Sequence, residues 1–307
     1  MDRLEAMAIL IAVVETGSLS AAGRRLGAPL PTVSRKISDL EAHLKTRLLI
    51  RSTRRLVLTD AGAAYLAASR RILEQVDEAE RSAAGEFIAP RGELMIAAPI
   101  AFGRLNVLPL VSEFLALYPA INVRLALSDR NTHLIDDHID VAARIGALPD
   151  SAQVATRIGS VRRIVCASPA FLAAHGAPRA PADLASLDAV TFDALSAVDE
   201  WRFQPPGSQR EFSTPVRSRL AVTTAEAAID AAIAGVGVTR VLSYQAAAAI
   251  EDGRLQVILA DFEGDALDVN LIHAGQGRMP LKTRAFLDMA APRLRATLAP
   301  KAARPSA

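Results

Sequence analysis

The stretch LSAAGRRLGAPLPTVSRKISDLEAHL, residues 19–44, constrains what this chain can fold into more than any other. Gly27 stops one helical segment, and Pro29 and Pro31 fix a corner, with Pro31 suited to the first turn of the next helix. Ser18 is a good N-cap for the helix that runs to about Leu26. An earlier helix near residues 4–16 is apolar at helical spacing through Leu4, Met7, Ala8, Leu10, Ile11 and Val14, and Gly17 ends it. The third helix, to about Leu44, has Val33, Ile37, Leu40 and Leu44 on its buried stripe. Its opposite side carries Thr32, Ser34, Arg35, Lys36 and Ser38. An ordinary helical hairpin has no need of basic residues on its leading turn. In a helix-turn-helix the second helix sends those residues to base edges and phosphates in the major groove. RLLIRSTRRLVLT, residues 47–59, sets leucine and β-branched residues around a basic tip, the pattern of a two-stranded wing.

Charge supports the same segment. The net charge of +2 hides an asymmetry: residues 1–60 carry ten Lys/Arg against six Asp/Glu, residues 61–90 three against five, and the remainder 22 against 22. A basic excess on charge alone is as often a solvated face as a nucleic-acid footprint, so its position in the chain decides the reading. With 307 residues the chain has room for about two domains, each with its own core. Its one cysteine, Cys166, makes neither an internal disulfide nor a thiolate cage, which fits a cytoplasmic setting. MDRLEAMAILIAVVETGSLS lacks a basic start and a cleavage site, so it reads as a core helix, not a signal peptide. No uninterrupted apolar run of about 18 residues appears, and no membrane span is expected.

From Gly62 to about Phe87 there is no proline and most residues favour helix. Tyr65, Ser69, Ile72, Val76, Ala79 and Ala83 alternate four- and three-residue steps, a 3.5 period that predicts a seam against another helix. No neighbouring helix is in view to pack it, because APRGEL, residues 89–94, reads as a linker into something new. Beyond Arg91 strands and helices alternate: ELMIAA, a helix from Leu105 to Tyr118, INVRLALS, a short helix near 131–137, DVAARI and RRIVCAS. TTAEAAIDAAIAGVGVTRV follows as helix, glycine turn and strand, then LDVNLIH as a strand and a helix from Lys282 to about Leu298. Such alternation predicts a parallel α/β sheet with helices on both faces. The tail, residues 300–307, reads as disordered.

Several motifs weigh less than the bland alternative. HLIDDH offers His133, Asp136, Asp137 and His138 to a metal, but five-residue spacing sends the two histidines to different helix faces. AGVGVTR has Gly235 and Gly237 without a third glycine and follows a helix, the wrong order for a dinucleotide site. Cys166 within a strand reads as core. GSLSAAG lacks the strand of a nucleophile elbow. No catalytic constellation, metal site or cofactor is therefore expected, and the chain reads as no enzyme.

Residues 4–62 resemble the LysR-type family of bacterial transcription regulators, through VVETGSLSAAGRRLG, VSRKISDLEAHL, RLLIRSTRRLVLT and the Ala61-Gly62 pair in that order and spacing. PLVSEFLALYPAINVRLAL, IDVAARIG and ASPAFLAAHGAPRAPADL are similar to the effector-binding domain of the same family, so the resemblance covers nearly the whole chain. It implies a winged helix-turn-helix over 1–60, a linker and dimerisation helix over 61–90, and a two-lobed effector-binding domain, like a periplasmic binding protein, over 91–299. Lobe I would take about 91–163 and 266–299, and lobe II about 164–265. It also implies that Leu30, Pro31, Thr32, Ser34, Arg35 and Lys36 face double-stranded DNA, with Arg51 and Arg54 of the wing at phosphate or the minor groove. Pro29 and Leu30 stand where the family commonly has Ser-Gln, which leaves Leu30 to meet a thymine methyl. Leu49 replaces a usual phenylalanine. The implied partners are a small organic effector, a second copy in a homodimer, a homotetramer through the α/β domains, and RNA polymerase.

In a two-lobed α/β domain ligands bind where the lobes meet, beyond the C-terminal strand ends. Those ends supply Pro99, Ile100, Ala101 and Phe102, then Ser128, then Arg144, Ile145 and Gly146, while Thr223 and Thr224 open a helix of the other lobe. Apolar Ile100 and Phe102 predict an effector with a hydrophobic part, and free amides at the Thr224 helix start would hold an acidic group. The readings that compete with a regulator are a stand-alone solute-binding protein of this two-lobed fold and an α/β enzyme with a helical appendage. The expected lack of a signal peptide and the basic N-terminal segment argue against the first.

Overall fold

The computed structural model describes residues 2–51, 56–83, 89–129, 139–148, 153–192, 200–208, 210–274 and 279–299. The chain divides into two compact units, Met1–Gly92 and Glu93–Ala307.

In the first unit local signals set the helix ends. Asp2 caps α1 (Arg3–Thr16) by accepting from the Leu4 and Glu5 amides at 2.9 and 3.2 Å, and Gly17 leaves it in the left-handed region at φ 72°. Ser18 caps α2 (Leu19–Leu26) through the Ala21 amide at 3.0 Å, and Gly27 closes it at φ 65°. After Pro29, α3 runs Leu30–Leu44 with Pro31 in its first turn, where a missing N–H costs nothing. Val33, Ile37 and Leu40 are buried against Ala6, Ile9, Leu10 and Val13 of α1, and Leu44 packs at the edge of that core. β1 (Leu49–Arg51) and β2 (Leu56–Leu58) pair antiparallel as the wing, Leu49 opposite Leu58.

The long helix α4 (Asp60–Ala83) does have a neighbour within its own unit. Leu66 is buried in the same core, Tyr65 packs against it, and α1 lies alongside. Gly62 permits this: a Cβ there would sit 2.0 Å from the Leu48 carbonyl oxygen. Ser69 is fully buried and donates to the Tyr65 carbonyl at 2.8 Å. Tyr65 and Ser69, the first two residues of the expected seam, are thus used inside the unit.

The second unit holds two five-stranded sheets. The first has the order β4-β3-β5-β14-β6, with β3 Gly92–Ala98, β4 Ile121–Leu127, β5 Val141–Ile145, β6 Gln153–Val161 and β14 Leu267–Ala274. The second has the order β11-β8-β12-β7-β13, with β7 Arg163–Ala167, β8 Asp188–Phe192, β11 Arg217–Val222, β12 Val238–Leu242 and β13 Gln256–Ile258. A hairpin, β9 (Glu200–Phe203) with β10 (Phe212–Pro215), packs on the second sheet through Trp201 and Phe203. The expectation of a parallel sheet needs correction, because both sheets are mixed. β3 and β5 are parallel, but β14 runs antiparallel to β5 and β6, and β12 antiparallel to β7. The chain leaves the first sheet through β6 and re-enters through β14 from the opposite direction, which forces the antiparallel pairs.

Helices cover the sheets. A continuous helical run begins as α5 (Ile100–Phe102), passes through a π-type turn (Gly103–Val107) and continues as α6 (Leu108–Leu117). The expected loop at Pro99–Phe102 is thus the first turn of a helix. Ile100–Leu117 is long and apolar enough to cross a membrane. Here Phe102, Val107, Leu110, Val111 and Phe114 pack into the first sheet's core with Phe286 and Leu294 of α10 (Leu281–Leu298). On the second sheet lie α7 (Pro169–His175), α8 (Ala225–Ile233) and α9 (Ser243–Glu251). Residues 131–137, HLIDDH and the tail 300–307 lie outside the described residues.

Candidate DNA interface and effector cleft

The leading end of α3 is presented on the surface of the first unit. Leu30 is 47 % exposed, Pro31, Arg35 and Ser38 are exposed, and Thr32 and Ser34 are half-buried. One expected contact already has a partner within the unit. Lys36 reaches back to α1 and forms an ion pair with Glu5, and its side chain is only 19 % exposed. Lys36 therefore ties α3 to α1. Arg25 and Arg70 share Glu15, at 2.7 and 3.3 Å, tying α2 and α4 to α1 in the same way. Neither acidic partner was legible beforehand, since each meets its arginine or lysine only through the packing of separate helices. The Arg51 side chain and the whole of Arg54 lie outside the described residues.

On α4, Ile72 is 38 % exposed, Val76 is half-buried, and Ala79 and Ala83 are exposed, so the second half of the expected line is an apolar strip on the surface of its unit. Around it, Asp77 pairs with Arg91 and, at 3.8 Å, with Arg81.

In the second unit Pro99, Ser128 and Arg144 line one recess at the ends of β3, β4 and β5, with Ala97, Ala98, Ala126 and Ala143. Gly146 turns away in the left-handed region at φ 95°, its amide bonded to the Asp268 carbonyl at 2.8 Å, while the preceding Ile145 packs on the first core. Ala101 and Phe102 do not line this recess. Both are buried, and Phe102 meets Tyr244 of α9 edge-on at 5.6 Å. That contact and the Arg104–Glu226 pair at 3.7 Å link the lobe of the first sheet to the lobe of the second.

At both helix starts an amide already has a side-chain partner. The Ile100 amide donates to Asp129 Oδ1 at 3.0 Å. Burial raises the Asp129 carboxyl above its usual range, that amide bond partly offsets the rise, and the Glu226 charge adds to it. Thr224 caps α8 by accepting from the Ala227 amide at 3.3 Å, and Glu226 lies in the same first turn. Thr223 is exposed beside it. The Tyr244 hydroxyl is shut from solvent, and burial with the Asp129 charge raises its pKa strongly. Asp129, Glu226, Tyr244 and Arg104 thus gather where the two lobes touch, although the sequence pattern did not mark them.

The remaining motifs resolve structurally. Cys166 is fully buried and its thiol is pushed up to about 12. Gly237 is required by close approach, because a Cβ would lie 2.3 Å from the Asp188 carbonyl oxygen. Among the described residues no group of three or more His, Cys, Asp or Glu is placed to hold a metal ion.

A winged helix-turn-helix ahead of a two-lobed α/β domain, with a recess at the strand ends of its first lobe, defines a DNA-binding protein with a ligand-sensing domain. Residues 4–63 match the bacterial regulatory helix-turn-helix protein, lysR family, and residues 89–295 match the LysR substrate binding domain, so the chain belongs to the LysR-type family of transcriptional regulators. Among its relatives is an HTH-type transcriptional regulator of Xanthomonas campestris pv. campestris, 36% identical over 93% of this chain and 84% of its own length. An HTH-type transcriptional repressor of Pseudomonas aeruginosa is 32% identical over 94% and 91%. Full-length CrgA, a LysR-type regulator from Neisseria meningitidis, superposes with a TM-score of 0.60 at 28% identity over 94% of this chain and 98% of its own. The family is one of regulators that bind DNA and small-molecule effectors, not of enzymes.

Proposed function

We propose that this regulator binds its operator as a homodimer, with Leu30, Pro31, Thr32, Ser34 and Arg35 of α3 facing the major groove and the wing, with Arg51 and Arg54, at the flanking backbone. The exposed leading turn of α3 carries this reading, since it offers hydroxyl, guanidinium and methyl-matching groups on one protruding surface. Lys36 supports the surface from behind through Glu5. The dimer seam is the strip from Ile72 through Val76, Ala79 and Ala83, which spaces two recognition helices for successive major-groove faces. Tetramer assembly through the α/β domains and contact with RNA polymerase follow the family pattern, as does action in the cytoplasm.

The effector is a small organic molecule held between the recess at Pro99, Ser128 and Arg144 and the Thr223–Thr224 start of α8. With Asp129 and Glu226 already at the two helix starts, an effector bearing hydrogen-bond donors suits the cleft better than a carboxylate. The test is to mix the pure protein with genomic fragments and footprint what it retains. Selective retention of an intergenic site, with Arg35→Ala weakening it by about 1–3 kcal/mol more than nonspecific DNA, is the expected result. Retention of all fragments alike, or unchanged operator affinity for Arg35→Ala, would refute the reading.

A further inference from the structure

A different set of residues in the second lobe remains unexplained by DNA or by the cleft. Val238, Arg240 and Leu242 alternate along β12 with Thr239 and Val241, so Arg240 lies on the face that packs under the β9–β10 hairpin. In the antiparallel register Arg240 stands opposite Val165 and Leu242 opposite Arg163. Arg163 and Arg240 are therefore diagonal neighbours on one face, about 7–8 Å apart at the backbone. The Arg240 guanidinium lies over the Phe203 ring, 5.4 Å from its centroid.

Arg240 Nη1 and Arg163 Nε are both shut from solvent, and neither has a hydrogen-bond partner among the described residues. Burial lowers the pKa of each, and for Arg240 burial together with the charge of Arg163 brings it to about 9. Two half-buried guanidiniums of like charge, each with a nitrogen shut from solvent, are costly unless something negative meets them. Glu211 acts on both only at a distance, and its Oε2 is 3.9 Å from Arg202 Nη1. Arg202 and Glu211 are both well exposed and pair only loosely on the outer side of the hairpin. A guanidinium pair in this setting matches an oxyanion, which accepts from both forks at once.

We propose that Arg163 and Arg240 form a second ligand site, separate from the cleft, which takes the oxyanion of a small molecule, a carboxylate or a phosphate. An apolar part of the ligand would meet the outer ring of Phe212, which sits 6.2 Å from Phe203 and is partly exposed. Arg163 follows directly on Arg162, which pairs with Glu263 at 2.9 Å where the chain crosses between the lobes. Occupancy here would stiffen that crossing and so act on the effector response.

The experiment uses the full-length protein, with thermal unfolding and calorimetric titration against inorganic phosphate and benzoate, and sodium chloride at matched ionic strength as the control. Wild type should gain a saturable rise in melting temperature from one or both oxyanions that chloride does not produce. Tighter saturation by benzoate assigns a carboxylate, and by phosphate a phosphate. Arg240→Met should lose that rise and melt higher than wild type in chloride alone, because the like-charge pair is gone. Arg163→Gln and Arg240→Lys, which spoil the double fork and keep a polar side chain at each position, should weaken binding about tenfold or more. No oxyanion effect beyond chloride would overturn the proposal. So would an effect that Arg163→Gln and Arg240→Lys both retain, since it would then arise elsewhere, such as the DNA-binding face.

Discussion

Replacing Lys36 with methionine separates a residue that reads DNA from one that holds the reader in place. The side chain is mostly covered and ends on Glu5, whose own side chain is 47 % exposed. Solvent screens such a pair, so its worth is that of a good surface ion pair, about 0.2–1 kcal/mol. Methionine keeps an unbranched apolar side chain of similar length and removes the charge. A double-mutant cycle with Glu5→Gln should return a coupling free energy in that range by denaturant unfolding of the full-length protein. Operator affinity should fall by no more than the loss of helix positioning allows, well short of the about 1–3 kcal/mol expected for Arg35→Ala. Specificity should stay, and the salt slope of binding should change less than the unit step that loss of a phosphate contact brings. Zero coupling with Glu5, together with a loss of specific binding equal to that of Arg35→Ala, would refute the argument and return Lys36 to the DNA.

Other predictions rest on burial. Ile72→Asp puts a carboxylate into the proposed seam, so sedimentation should show monomers and operator affinity should collapse, whereas an intact dimer would count against the seam. Phe102→Ala opens the core under α5 and should cost about 3–5 kcal/mol in unfolding experiments, with or without effector; a fully stable variant with only ligand binding impaired would show that the ring lines the cleft. Gly62→Ala should destabilise the first unit, because its Cβ meets the Leu48 carbonyl, and native-state hydrogen exchange in α4 should speed up. Cys166, buried with its pKa raised to about 12, should resist thiol reagents at pH 7–9 until the protein is unfolded; rapid native labelling would contradict its place in the core.

Much of the first unit was legible because its signals are local. Ser18, Gly17, Gly27, Pro29 and Pro31 act on amides and dihedral angles within a few residues, so they mark helix ends with no knowledge of the partner. The apolar stripes of α1 and α3 were legible for the same reason, and so was the exposure of Arg35 on the far side. Tertiary structure alone decided which polar residues are free. Lys36 and Arg35 are adjacent in sequence and alike in charge, yet α1 captures one with Glu5 and leaves the other exposed. Likewise a 3.5-residue period along α4 does not say which helix it meets, and α1 takes its first half. In the α/β unit, alternation of strands and helices revealed the layers. Strand direction followed from where β6 leaves and β14 returns. Asp129 at the Ile100 amide, Tyr244 against Phe102, and Arg163 beside Arg240 each join segments far apart in the chain. Such pairs depend on register and burial, which exist only once the sheets have formed, and no local pattern encodes them.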